Sequence, residues 1–199
     1  MKWVWEETAK AFQPPKRQLV SEWADQNRYL TSTSSAEPGL WRTSRAAYQR
    51  EIMDVIVDRK IETVVFMKSS QVGATEMLLN ILGYYISQDP CPVMCLQPTI
   101  EMGRSFSKDR LAPMLAASPA LADKVKEPRS RDSENTVLHK KFPGGHLTIT
   151  GANSASGLAS RPIRILLIDE CDRYPQSAGT EGDPIALATK RTTTFWNRK

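Results

Sequence analysis

The sequence predicts an α/β fold, a mainly parallel sheet flanked by helices with a short helical N-terminal appendage. Three observations point there. Apolar, β-branched runs at 62–67, 92–96 and 164–168 alternate with stretches of helical periodicity. The run "RILLI" at 164–168 is continuously apolar after its leading arginine, as expected of a central parallel strand covered on both faces. A glycine-containing turn, "KSSQVGAT", joins the first run to the helix after it. A chain of 199 residues has room for one such domain with a proper core.

Taken in order, residues 1–40 read as the appendage and a linker, and 41–199 as the α/β domain. A short amphipathic helix is expected over 4–12, ended by Pro14 and Pro15. A second is expected over 20–30, with Val20, Trp23, Ala24 and Leu30 at helical spacing and Ser21 available as its N-cap. The stretch "TSTSSAEPG", 31–39, reads as a linker or exposed loop. Next comes a helix over 46–58, with Ile52, Val55 and Ile56 on one face, and then the strand 62–67. The glycine turn leads into a helix ending near Ile86, followed by a buried strand at 92–96. Residues 99–117 are expected to be mostly helical, with Pro113 marking a bend or an end. The alternation at 146–150 predicts a further strand before 164–168, and no internal repeat is visible.

Composition narrows the function classes. The net charge of +5 is a mild basic excess, compatible with a polyanionic partner, and basic residues are denser at 124–131 and 139–141. A solvated face explains those runs equally simply. The odd set Cys91, Cys95 and Cys171 reads as reduced thiols in a cytosolic setting, the first two as core. Zinc would need two more ligands at matching spacing, for which His139 and His146 are poorly placed. The longest apolar stretch, 77–86, contains Asn80 and is too short to span a bilayer. The N-terminus lacks the apolar core of a signal peptide. Neither membrane insertion nor export is expected.

The chemistry sits at two places. A phosphate-binding loop of the usual spelling, G-x-x-x-x-G-K-[ST], brings backbone N–H groups and a helix N-terminus onto the anion, a lysine onto the phosphates and a hydroxyl onto magnesium. Here Gly73 and Thr75 are in place, Ala74 holds the lysine position, and Lys68 stands where the first glycine belongs. A lysine stem is long enough to supply its ammonium from the front of the loop. The alternative is a strand–turn–helix junction that merely contains Gly and Thr. The second place is "RILLIDECDRYP", 164–175, an apolar strand ending in Asp169 and Glu170. In a motor ATPase the first acid holds magnesium and the second polarises the attacking water. Both belong at the carboxyl end of a buried parallel strand.

The strings "SRAAYQREIM", "VVFMKSSQVGATE", "LQPTIEMGRSFSKDRLAPML", "GGHLTITGANSASGLASRP", "LLIDECDRYP" and "EGDPIALATKRTTTFWNRK" together resemble the ATPase region of the large terminase subunit of tailed bacteriophages, lambda-like branch. The resemblance spans about residues 20–199. It implies a P-loop NTPase with Walker A and Walker B motifs that uses ATP and Mg2+. In that branch the lysine stands at the front of the loop, K-S-x-Q-x-G, so Lys68 matches and Ala74 is tolerated. ATP binding then falls to Lys68, Ser69, Ser70, Gln71, Val72, Gly73, Ala74 and Thr75, with Tyr48 and Gln49 matching an adenine-contacting segment. Thr75 and Asp169 are the implied metal ligands, and Glu170 and Lys68 the catalytic residues. Gln97 and Thr99 match a loop that faces DNA, and Arg161 a loop that faces DNA or senses the nucleotide. Plain packing and turn roles explain Tyr48, Gln97, Thr99 and Arg161 as well.

The implied function is Mg-ATP hydrolysis coupled to translocation of double-stranded viral DNA into an empty procapsid, in the host cytoplasm. The implied partners are the DNA, the small terminase subunit (at residues 1–40), the portal and further copies in a homo-oligomeric ring. The coupling segment and nuclease domain expected after "TTTFWNRK" have no counterpart in this sequence, which reads as C-terminally truncated. Two alternatives stand beside this reading: a non-catalytic module that binds the small subunit or DNA, and another helicase-like P-loop translocase.

Overall fold

In the computed structural model, Trp5, Thr8 and residues 18–33, 35–126 and 135–195 are described. Helix α1 (Val20–Asn27) runs into two short antiparallel strands, β1 (Tyr29–Leu30) and β2 (Gly39–Leu40). Then follow α2 (Tyr48–Asp54), α3 (Ala74–Ser87), β3 (Pro92–Gln97), α4 (Ile100–Ser105), α5 (Ala112–Ala117) and α6 (Pro119–Ala122). The remaining elements are β4 (His139–Phe142), β5 (Gly145–Gly151), α7 (Ala155–Ala159), β6 (Ile165–Ile168) and α8 (Pro184–Thr189).

The main sheet has the order β4-β5-β3-β6. Strand β3 lies parallel to β5 and to β6, with Cys95 opposite Ile149 on one side and Leu167 on the other. Strand β4, not anticipated from the sequence, closes the far edge antiparallel to β5. Because side chains alternate along a strand, β3 feeds two cores. Val93 and Cys95 join Leu79, Leu82, Ile86 and Leu147 on one face, while Met94 and Leu96 join Leu158, Ile163 and Ala188 on the other. The result is a mixed α/β fold, its parallel strands covered on both sides. The Cys91 and Cys95 thiols are buried here, and burial pushes both up to about 12, which suits packing rather than reactivity.

Val20, Trp23 and Ala24 of α1 belong to this core, and Leu30 packs against it. Trp23 is fully buried under α3, and a Cβ placed on Gly83 would come within 2.2 Å of its ring. Ser21 does not cap α1 but lies in its first turn, where its N–H and hydroxyl both donate to the Asp54 carboxylate at 2.8 Å. The helix expected over 4–12 falls outside the described residues, apart from Trp5 and Thr8, which are helical.

The strand expected over 62–67 does not form. Residues 61–69 have no regular structure, and Val65 and Met67 are 85% and 95% exposed. A strand exists only where a neighbour completes its hydrogen-bond ladder. Among the described residues β6 pairs with β3 alone, so no strand stands beside its other edge. Phe66 is the residue of this run that packs on the core. At 99–117 the helix widens to π geometry over Phe106–Leu111. Pro113 follows within one turn and has no N–H for the Asp109 carbonyl, so the regular ladder cannot pass. No helix among the described residues is long and apolar enough to cross a membrane.

Candidate functional site

Helix α3 begins at a turn with two residues in the left-handed region. Gly73, its N-cap, has φ +74°, and Gln71 also lies in the left-handed region at φ +63°. The first intrahelical bond runs from Met77 N to Gly73 O at 3.0 Å, and no side chain caps the helix. The preceding N–H groups, at the positive end of a 14-residue helix, are therefore left for another acceptor. Two donors from α2 brace the loop: Tyr48 Oη and Gln49 Nε2 reach Val72 O at 2.7 and 2.9 Å. The φ at position 73 favours glycine, and a Cβ there would lie 2.9 Å from Gln49 Nε2 and displace that flexible side chain from its contact with the loop.

Ala74, at the usual lysine position, is 7% exposed and carries no charge. Lys68, by contrast, is exposed at the end of the 61–69 segment, with no hydrogen bond or ion pair to any described residue. Ser69 and Ser70 are exposed beside it.

Across the site, Asp169 emerges from β6 with only 5% of its surface exposed, its N–H donating to Leu96 O at 3.1 Å. Thr75 Oγ1 donates to Asp169 Oδ2 at 3.0 Å, joining the loop to the acid pair. A hydroxyl and a carboxylate at one point form a hard-oxygen donor set of the kind Mg2+ takes while keeping several waters. No cluster of three or more His, Cys, Asp or Glu among the described residues offers a rival metal site. Glu170 has φ +52°, a strained backbone for a residue with a side chain, and its carboxylate lies 3.2 Å from Arg173 Nη1. Tyr174 Oη donates to Leu96 O at 2.8 Å and pins the turn that follows.

Sequence reasoning missed the charge behind the loop. Glu76, in the first turn of α3, pairs with the buried Arg28 at 2.6 Å and with Arg110 at 3.5 Å. Burial pushes the Arg28 guanidinium down from its ordinary value, and the Glu76 carboxylate opposes that shift. An acid so close to this helix N-terminus would repel an anion there, and two arginines neutralise it. Lone residues spread over α1, α3 and the π turn carry no local signal of this.

The residues matched to DNA-facing loops do not share one surface. Gln97 is 4% exposed, with its amide toward Cys95 Sγ at 3.8 Å, so burial withholds it from DNA. Thr99 caps α4, its hydroxyl accepting from Met102 N at 3.2 Å. Arg161 lies at the other end of the strands, its Nη1 3.3 Å from His139 Nε2.

The sequence model of the family described as "Phage terminase large subunit gpA, ATPase domain" matches residues 35–199. The chain belongs to this family. It is similar to the large terminase subunit of Enterobacteria phage P21, 29% identical over 171 residues, covering 85% of this chain and 26% of that protein. It is likewise similar to the large terminase subunit of Escherichia phage lambda, 28% identical over 178 residues, covering 89% of this chain and 28% of that protein. The chain thus spans about a quarter of the length of these terminase relatives. In this terminase ATPase domain, the loop at 68–75 and the acids at 169–170 meet at the carboxyl ends of β3 and β6. Open parallel sheets place ligand crevices at that end.

Proposed function

We propose that the chain is the ATP-hydrolysing domain of a viral DNA-packaging motor, with a P-loop NTPase site. The observation that carries this is the Thr75–Asp169 hydrogen bond, which brings two motifs far apart in sequence to one point. Lys68 and the backbone N–H groups of 69–74 would hold the phosphates of ATP, and Thr75 and Asp169 the Mg2+. Bound Mg2+ would neutralise charge on the phosphates. Glu170, once released from Arg173, orients and deprotonates the attacking water. Gln49 holds the loop, and the half-exposed ring of Tyr48 offers a face to the adenine. Buried beside the acid strand end, Gln97 is better suited to sensing the nucleotide than to touching DNA. On this reading hydrolysis drives double-stranded DNA into a procapsid, with the small terminase subunit, the portal and further copies of the chain as partners.

One observation favours a second reading. The segment carrying Lys68 has no paired strand, which fits a chain that binds its partners without turning over ATP. Equilibrium binding of a fluorescent ATP analogue with Mg2+, to the parent and to Lys68→Ala, separates the two. Binding by the parent that Lys68→Ala loses supports the motor ATPase. No binding, or equal binding, favours the non-catalytic module.

A further inference from the structure

Directly after β6 the chain makes one 3-10 turn, Cys171–Arg173, closed by Arg173 N donating to Glu170 O at 3.0 Å. Side chains three residues apart eclipse in such a turn, so the Arg173 guanidinium is laid over the Glu170 carboxylate, Nη1 to Oε2 at 3.2 Å. The backbone around the pair is fixed on both sides. Before it, Asp169 N donates to Leu96 O at 3.1 Å. After it, Tyr174 N donates to Cys171 O at 3.1 Å and Tyr174 Oη to Leu96 O at 2.8 Å. What is left to move is the Arg173 side chain, 63% exposed.

The pairing is a weak one. Glu170 Oε2 is buried yet accepts no hydrogen bond among the described residues, so Arg173 meets it as a charge and not through an aligned N–H. With the guanidinium largely in water, such a pair shifts an equilibrium at most about fivefold. A phosphate group offers the same guanidinium two aligned, charge-assisted bonds and is the stronger partner. The distance is short enough for an exchange. An attacking water lies about 3 Å from its base and about 3–3.5 Å from the phosphorus it attacks. A cation touching that base is then within about 10 Å of the phosphorus, a span that rotamer changes of a long arginine side chain cross.

We propose that Arg173 is a γ-phosphate-binding residue of this site, which leaves Glu170 when ATP arrives and takes hold of the terminal phosphoryl group. This rests on the ATP reading of the Thr75–Asp169 site, and adds to it a cation supplied from within the same chain. One movement then has two effects. It frees the Glu170 carboxylate for the attacking water, and it sets positive charge against the transferring group. The water oxygen bonds to phosphorus and its proton passes to Glu170, while the bond to the β-phosphate oxygen breaks and its electron pair leaves on ADP. ADP has no terminal group to offer, so with ADP bound Arg173 returns to Glu170 and covers the base again.

The test compares two ligands that differ by the γ-phosphate. Binding of a non-hydrolysable ATP analogue and of ADP, each with Mg2+, is measured by calorimetry on the parent chain, Arg173→Gln and Arg173→Lys. Arg173→Gln is expected to lose about tenfold in affinity for the ATP analogue and to hold ADP as the parent does. Arg173→Lys is expected to keep part of the preference for the analogue. ADP affinity also serves as the control for folding, because a residue that merely supports the turn would cost both ligands equally. If the parent binds and Arg173→Gln discriminates between the two ligands as the parent does, or loses both equally, the assignment of Arg173 is overturned and the nucleotide site stands. If the parent binds neither ligand, the nucleotide reading falls and this assignment falls with it.

Discussion

Thr75 and Asp169, 94 residues apart in the sequence, are joined by a 3.0 Å hydrogen bond from hydroxyl to carboxylate. On the proposed reading a divalent cation is held here by Thr75 and Asp169, directly or through water, and the Thr75 hydroxyl can ligate it through a lone pair while still donating this bond. Asp169→Asn keeps the shape and removes the charge. It is expected to weaken Mg-dependent nucleotide binding at least about tenfold and to leave Mg-independent binding unchanged. Titrating Mg2+ at fixed ATP analogue measures this. Thr75→Ser is expected to retain what Thr75→Ala loses.

Moving the lysine to its usual place will not restore function. Lys68→Ala is expected to cost about tenfold or more in ATP-analogue affinity, the worth of a charge-assisted contact. Adding Ala74→Lys puts an ammonium at a position 7% exposed. The double variant is expected to bind no better than Lys68→Ala, and to be about 1–3 kcal/mol less stable by urea denaturation.

Glu170 stores backbone strain at φ +52°. Glu170→Gly is expected to release about 1 kcal/mol of it and raise the denaturation midpoint, at the cost of turnover. Glu170→Gln is expected to bind Mg-nucleotide like the parent and not hydrolyse it. Single-turnover assays distinguish the two effects, and an active Glu170→Gln protein would remove this residue from the chemistry.

The Arg28–Glu76 pair holds α1 to the loop helix. Arg28→Met leaves a buried carboxylate that Arg110, at 3.5 Å, only partly compensates, and a loss of about 3–5 kcal/mol is expected. Removing both charges together, Arg28→Met with Glu76→Leu, is expected to recover much of that. Gly83→Ala probes the same junction by volume: the rigid Trp23 ring stands 2.2 Å from the added methyl, and about 1–3 kcal/mol is expected to be lost. Denaturation midpoints at constant slope decide each case.

His139 and His146 give stability a pH dependence of known sign. Both are held below the ordinary histidine value in the folded chain, so in acid the unfolded chain binds protons first. Their contribution is fully present above the ordinary histidine pKa and is lost as pH falls below it. Arg161→Gln removes a cause of the shift at both rings, so its stability is expected to fall less than the parent's between neutral and mildly acidic pH. Parallel denaturation curves across that range measure the difference.

Much of this was legible in the sequence. The central strands β3, β5 and β6 follow from apolar runs and alternation, because a strand buried on two faces must be apolar throughout and one buried on a single face must alternate. Gly73, Thr75, Asp169 and Glu170 stood out because the chemistry proposed for them depends on fixed short spacings at the end of a strand or the start of a helix. Strand β4 was not, since "HKKF" carries more charge than apolar signal and is held by its pairing with β5. Arg161, read from its glycine- and serine-rich loop as facing DNA or sensing the nucleotide, lies before the start of β6, at the other end of the sheet from Thr75 and Asp169.

What the sequence by itself determined is therefore local: the periodicities, the turn at Gly73 and the residue types at each end of the site. Only the tertiary structure decided which of these meet. Thr75 contacts Asp169, Arg28 is buried against Glu76, and Trp23 occupies the space that Gly83 leaves. The β-branched run at 62–67 stays unpaired although its propensity is as high as that of the strands that form. Propensity is a property of a few neighbouring residues, whereas a hydrogen-bond ladder, an ion pair or a filled cavity needs a second partner whose place is set by the whole fold.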